Sequence, residues 1–392
     1  MASHGHVVPT LGVAEELVAR GHRVTYPAAG DYATAVAETG ARVLPYESVL
    51  VGRQLTGALG GGDPVANFEL FLAEGAAILR AVRAAYGDRR PDLVVYDQMA
   101  NGIGRLIAAE WGVPVVQTIP TPVYTDQFWA EDNTGKARGP MGRDPGAVAA
   151  AHARMQDALG RHGIDMPVAE YLAATSEALN IVFLPSAFQQ DAEKLGERYV
   201  FVGPCLPKRD FLGEWRPPAS ELPVVLISLG TVYNENVDFF RSCVRDFADG
   251  AWHVVISLGD GVDPSVLGEL PPNVEVHRWV SHAAVLEHAS ALVTHGGLGS
   301  VMTGLHWATP VVVVPVTPLV DIHARVVALG LGTRVEVADV QVGRLREAVD
   351  QVANDTAIRT AVAEMREHIR HAGGAAKAAE EIESYLGRVA IA

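Results

Sequence analysis

A histidine beside closely spaced glycines, with a tryptophan a short way upstream, can hold a nucleotide by both of its ends. In this chain those residues are Trp279-Val280 and then His295-Gly296-Gly297-Leu298-Gly299-Ser300. Glycines let the backbone come close to an anion. The N–H groups at the start of a helix, which Ser300 opens, carry partial positive charge and hold a phosphate. His295 can donate to the same anion, and Trp279 can stack on a nucleobase. The pattern suggests a diphosphate-linked nucleotide lying across a strand end.

A second constellation sits at the start, His4-Gly5-His6-Val7-Val8-Pro9. An imidazole that titrates near neutral pH suits a general base for a hydroxyl. It needs a carboxylate on its other nitrogen to set the tautomer and stabilise the imidazolium. Asp97, at the C-terminal end of an expected strand, is a candidate. The plainer alternative makes His4 and His6 polar loop residues and Asp97 a helix cap. Two imidazoles without a third ligand are a weak metal signal, and no metal is expected. Ser228-Leu229-Gly230-Thr231 follows a buried-type strand and offers hydroxyl and backbone donors to a phosphate, or is an ordinary strand-to-helix turn. Gly60-Gly61-Gly62 follows no strand, Gly296-Gly297-Leu298-Gly299 has the wrong spacing for a dinucleotide fingerprint, and no P-loop occurs. His253 reads as half-buried and structural, and Trp252 and Trp307 as core.

The elements that must position these residues alternate between strand and helix, which points to parallel sheets with crossover helices. In the first half we expect helices over 10–20, 70–86 and 102–111, and strands over 22–26, 93–96, 114–118, 180–184 and 199–202. The second half restarts with a strand over 224–228 and continues with strands over 253–257, 274–277, 291–294 and 311–315. Between the halves runs the proline-rich stretch from Gly203-Pro204 to Pro217-Pro218. The expected organisation is a first domain over 1–205 and a linker over 206–222. A second domain follows over 223–375, then a last helix over 376–392 that packs back on the first domain.

The chain has 392 residues, 49% hydrophobic and 20% charged, with a formal net charge of −15. That suits a soluble α/β protein of about two domains. The negative charge, with no basic cluster, argues against nucleic acid as a partner. The two cysteines make no disulfide framework, no stretch is apolar enough to span a membrane, and no signal peptide is visible, so a cytoplasmic location is expected.

Taken in order, these blocks resemble the nucleotide-sugar-dependent natural-product glycosyltransferases of the GT-B type, above all those acting on macrolides and on enediynes such as calicheamicin. The likeness runs nearly end to end: HGHVVPTLGVAEELVARGHRVTY, PDLVVYDQMANGIGRLIAAEWGVPVV, FVGPCLPKRDFLGEW, PVVLISLGTVYN, NVEVHRWVSHAAVLEHASALVTHGGLGS and AGGAAKAAEEIESYL. The resemblance implies two Rossmann-like domains facing each other across a cleft. It makes His6, in the Gly-His-x-x-Pro motif, the general base and Asp97 its orienting carboxylate. Ser228, Gly230, Thr231, His295, Gly297, Gly299 and Ser300 match donor-binding positions around the diphosphate. Trp279 matches the base-stacking tryptophan and Val280 the backbone contact to the base edge. No cofactor is implied beyond the nucleotide-sugar co-substrate.

Departures from the family pattern shape further expectations. The carboxylate that grips the ribose hydroxyls in many UDP-sugar users is replaced by Thr303. The Asp/Glu-Gln pair for the sugar hydroxyls is reduced to Asp321 in Thr317-Pro318-Leu319-Val320-Asp321-Ile322-His323. A dTDP-deoxysugar donor is therefore expected over UDP-glucose. Family members begin with a complete strand before Gly-His-x-x-Pro, whereas only Met1-Ala2-Ser3-His4 precedes Gly5 here, so the first strand is expected to be truncated or to lie upstream. Acceptor contacts are expected from Phe68, Phe71, Val123 and Phe128, and the partners are a small-molecule aglycone and a nucleotide sugar, with a homodimer as an option. The alternatives are a UDP-glucose-dependent macrolide-inactivating transferase, a sugar-nucleotide 2-epimerase and a non-catalytic auxiliary partner of another glycosyltransferase.

Overall fold

The structure is a computed structural model that describes residues 4–51, 63–123, 144–172, 177–207, 215–231, 234–316 and 322–391. The chain divides into two compact units. The first comprises Met1–Phe183, Gln189–Cys205 and Ala375–Ala392, and the second Leu184–Phe188 and Leu206–Gly374. Both are built from parallel strands with helices between them.

In the first unit, β1 (Thr25–Ala28) pairs with β2 (Arg42–Pro45) as a two-stranded sheet. A four-stranded sheet follows the chain in simple order: β3 (Val94–Asp97), β4 (Val115–Ile119), β5 (Asn180–Val182) and β6 (Tyr199–Phe201). The helix His4–Ala19 precedes β1. It starts earlier than the spacing suggests, because Pro9 lies inside it. Proline has no N–H to return to the Gly5 carbonyl, so that one intrahelical bond is absent from the first turns. The residues of the Gly-His-x-x-Pro motif are therefore helical rather than loop. The C-terminal helix Gly374–Ile391 lays Ala378 and Ile382 into the same core as Val13, Val116, Ile181, Phe183 and Val202. Glu383 closes that contact by accepting from Arg20 Nη1 at 2.9 Å and pairing with His22 Nε2 at 2.8 Å.

The second unit holds a six-stranded sheet: β7 (Val224–Ser228), β8 (His253–Ser257), β9 (Val274–His277), β10 (Ala289–Thr294), β11 (Val311–Val313) and β12 (Gly332–Arg334). Its order is β12-β11-β10-β7-β8-β9. β7 is buried at every position, as strands covered on both faces are. The helix Val237–Asp246, capped by the Asn236 side chain accepting from Phe239 N, drives Phe239 and Phe240 under this sheet beside Phe247. Each such fully buried ring contributes on the order of 2–3 kcal/mol.

His253 has the structural role expected of it. Glu275 accepts from His253 Nε2 at 2.6 Å, His277 Nε2 at 2.9 Å and Trp215 Nε1 at 2.9 Å. Burial alone would raise its pKa, but these three donors hold it at about 2. Through Trp215 the end of the proline-rich stretch is fastened to β9. Among the described residues no helix is long and apolar enough to cross a membrane, and no group of three or more His, Cys, Asp or Glu side chains is arranged to hold a metal ion.

Candidate active site

The first unit brings together the two residues that a separation of 91 positions leaves unlinked in the sequence. His6 Nδ1 lies 2.8 Å from Asp97 Oδ1 and 2.9 Å from Oδ2. Asp97 ends β3, so its carboxylate sits where the strand gives way to the turn Gln98–Ala100, and the Met99 N–H adds a second donor at 2.9 Å. A carboxylate only accepts, so the proton on this bond belongs to His6 Nδ1, and Nε2 carries the lone pair. The side chains are 15% and 9% exposed, which shields the pair while leaving the ring an accessible edge. Tyr26 stands nearby. Its phenol is pushed up to about 12, mainly by burial, with Thr10 hydrogen-bonded to it and the Asp97 charge adding to the shift. The geometry is that of a histidine base with a fixed tautomer.

The second unit's candidate site follows from its strand order. The chain runs outward through β7, β8 and β9 on one side, then returns beside β7 with β10 and continues outward the other way. At such a reversal the loops after two adjacent parallel strands diverge and leave a crevice at the strand ends, where ligands of open α/β sheets bind. Here Ser228 ends β7 directly beside Thr294, the end of β10. Leu229-Gly230-Thr231 and His295-Gly296-Gly297 are consequently neighbours. Gly230, at φ +74°, presses its α-carbon against the His295 ring, since a Cβ there would fall 2.4 Å from Cε1. Gly297 abuts the same ring from the other turn, with a hypothetical Cβ 2.7 Å from Cε1. The imidazole is gripped between two glycines.

Gly297 is also the N-cap of the helix Leu298–His306, extended at φ −60° and ψ 132°, and no side chain caps that helix. Its first-turn N–H groups are thus directed toward any anion placed there. The His295 ring nitrogen Nδ1 is enclosed, although the residue as a whole is only half-buried. Burial, helped by the nearby His323, pulls its pKa down to about 4, so the ring is neutral at neutral pH. It offers an anion a hydrogen bond rather than a charge.

Trp279 follows β9, and its indole Nε1 donates to Asp260 Oδ1 at 3.1 Å. The Gly259 N–H donates to the Arg278 carbonyl at 2.8 Å, so the turns after β8 and β9 are stitched together. Val280 is buried. Asn234 Nδ2 donates to the Gly230 carbonyl at 3.0 Å and fills the space over Gly259 and Gly261, joining the turns after β7 and β8. Gly299 is exposed and Ser300 half-buried in the first turn of the helix, and Thr231 is exposed at the end of its turn.

Among the expected acceptor contacts, Phe68 is a core residue, with its ring edge-on to Tyr171 at 5.6 Å between centroids. Its apolar bulk completes the packing of the helix Pro64–Tyr86, which a sequence position alone does not reveal. Phe71 is half-buried, and Val123 is held through both backbone groups by Gln189. Phe128 and Asp321 lie outside the described residues. Sequence reasoning gave no role to Asn234, Asp260 and His323, which act through contacts that only folding brings about.

Comparison with known proteins gives the family. Residues 245–383 match the family described as erythromycin biosynthesis protein CIII-like, C-terminal domain, and residues 4–174 match the glycosyl transferase 4-like domain. The chain is 35% identical over 390 residues to NDP-glycosyltransferase YjiC of Bacillus licheniformis, covering 98% of this chain and 96% of that protein. The chain belongs to the natural-product glycosyltransferase family. The transferase is also 35% identical over 396 residues to the demethyllactenocin mycarosyltransferase of Streptomyces fradiae, covering 98% of this chain and 85% of that one. Among solved structures, the calicheamicin glycosyltransferase CalG4 shares 40% identity with a TM-score of 0.78, over 99% of this chain and 96% of that chain. The GT-B fold and the glycosyltransferase activity expected from the motifs therefore stand.

One prediction belongs to this geometry. Gly230→Ala puts a Cβ into the His295 ring at a left-handed backbone position that costs about 1–2 kcal/mol for a non-glycine residue. The imidazole must move, and the affinity for a nucleoside diphosphate should fall at least about tenfold, equivalent to 1.4 kcal/mol. Calorimetric titration with dTDP and UDP measures it, and unchanged affinity for both would contradict the role given to this turn.

Proposed function

We propose that the glycosyltransferase moves a deoxysugar from dTDP to a hydroxyl of an apolar, polyketide-type secondary metabolite of enediyne or macrolide-like character, with inversion and without a metal. The observation that carries the donor reading is Thr303. Its hydroxyl donates to the Gly299 carbonyl at 2.8 Å, one turn back in the same helix. The position that supplies a ribose-binding carboxylate in UDP-sugar users thus holds a short side chain whose proton is engaged with its own backbone. A site built for a ribose 2′-hydroxyl leaves polar groups unpaired when that hydroxyl is absent, and position 303 holds no carboxylate to strand. The 2′-deoxyribose of dTDP fits that chemistry.

The chemistry assigned to the acceptor is general-base catalysis. His6 Nε2 takes the hydroxyl proton as the oxygen attacks the anomeric carbon from the face opposite the nucleotide. The carbon–oxygen bond to the diphosphate breaks, and Asp97 stabilises the imidazolium. The charge that develops on the leaving diphosphate falls to the first-turn N–H groups of Leu298–His306 and to neutral His295, which take the electrostatic part a metal plays elsewhere.

The deciding experiment compares nucleotides and donors side by side. A ligand that binds the native state raises its apparent stability, so dTDP should raise the melting temperature more than UDP at equal concentration. Turnover of a dTDP-deoxysugar should exceed that of UDP-glucose on the same acceptor. Equal or faster turnover with UDP-glucose would overturn the donor assignment in favour of a UDP-glucose-dependent macrolide transferase.

A further inference from the structure

The turn that begins Leu298–His306 is held from behind by a residue to which the motifs give no role. His323, 5% exposed, is the second residue of the short helix Ile322–Ala328. Its Nε2 lies 2.9 Å from the His295 carbonyl oxygen. A carbonyl only accepts, so Nε2 carries the proton and donates. The N–H of the same peptide, on Gly296, donates to Thr294 Oγ1 at 3.3 Å. The His295–Gly296 peptide plane is therefore pinned at both ends.

The His323 ring also lies against the Gly296 α-carbon. A Cβ at Gly296 would fall 2.4 Å from His323 Cδ2 and 2.9 Å from Val313 Cγ1, at a φ of +88°. The helix that carries His323 is anchored in turn by Arg325, which donates to the Phe188 carbonyl at 2.7 Å and to the Ala187 carbonyl at 3.1 Å. One peptide plane sets two directions at once. Its rotation on the His295 side fixes where the imidazole points, and on the Gly296 side it fixes where the chain enters the helix and so where the first-turn N–H groups aim.

We propose that His323 is a positioning residue for the donor diphosphate: by holding the His295 carbonyl it keeps the imidazole and the helix-start N–H groups converged on one anion. This rests on the donor-site reading above. His323 is buried with its Nε2 engaged by the His295 carbonyl, so its removal should weaken ligands in proportion to their phosphates and leave a bare nucleoside untouched. A merely structural residue would weaken both.

The test uses His323→Phe, which keeps a flat ring against Gly296 but removes the donor, and His323→Gln, whose amide can donate again. Calorimetry follows dTDP and UDP, and ligand-observed NMR follows thymidine. His323→Phe should bind both diphosphates about tenfold more weakly, the scale of one buried hydrogen bond left unmade. Thymidine affinity should stay within about twofold, and the donor KM should rise with little change in kcat. His323→Gln should recover most of the loss. Equal weakening of dTDP and thymidine, or no weakening of dTDP, would overturn the proposal. If His323→Phe does not fold, His323→Gln decides alone: near-native dTDP affinity supports the proposal, and equal loss of dTDP and thymidine binding refutes it. A wild-type protein that binds neither diphosphate removes the donor-site reading itself, and the proposal with it.

Discussion

His6→Ala is expected to lower kcat by about 10²- to 10⁴-fold, the range a positioned general base contributes. The argument rests on one bond. With its Nδ1 proton directed at Asp97, the His6 ring can accept only at Nε2, and the carboxylate stabilises the cation that forms when it does. Asp97→Asn should be almost as damaging for a distinct reason. An amide can turn its NH2 toward Nδ1, which moves the imidazole proton to Nε2 and removes the base while the ring stays in place. Donor affinity should be unchanged in both variants, because the residues proposed to hold the nucleotide lie on other elements. Steady-state transfer with product detection, alongside calorimetric dTDP binding, reads both effects. A His6→Ala enzyme with full transfer activity would refute the assignment.

Acid should destabilise the second unit, and His295 should account for much of the effect. Unfolded, its imidazole takes a proton below its ordinary value of 6.5, whereas folded it stays neutral down to about 4. Between those values the unfolded chain binds more protons, so stability rises with pH through this window and is lost as pH falls through it. At 1.36 kcal/mol per unit, the full span amounts to about 3 kcal/mol. Below pH 4 this contribution is flat. His306 is shifted the same way, chiefly by burial, so the contrast with His295→Gln isolates the one ring. Urea unfolding at pH 7 and pH 4.5 should show a smaller acid loss in the variant. Equal losses in both proteins would mean that His295 is not held neutral by the fold.

Much of the second unit was legible in the sequence. The strands Val224–Ser228, His253–Ser257 and Val274–His277 stand out because apolar β-branched runs end abruptly in Gly, Asp or Trp. The first unit was less legible. Arg42–Pro45 is a strand of four residues with a charge and a proline at its ends, and its hydrogen bonds come from β1, which no local signal announces. The start of His4–Ala19 was hidden by Pro9, which normally marks a helix boundary. The pairing of His6 with Asp97 was suggested by residue type and motif but not established by them, because spacing carries no information across 91 residues. The proposed nucleotide contacts Trp279, His295 and the glycines stood out because anion and base recognition favour those residue types. Asn234 and His323 were not, because a residue that supports a turn from behind can be of almost any polar type and lie anywhere in the chain.

The division of the chain has a consequence for how it is made. Residues 206–374 form a nearly contiguous unit, whereas the first unit needs both the opening helix and Gly374–Ile391, clasped through Arg20, His22 and Glu383. On the ribosome, domains generally fold as they emerge. The half that carries His6 is synthesised first yet is completed last, when the final helix leaves the exit tunnel. A ribosome that stops short of that helix releases a finished second unit attached to an unfinished first one.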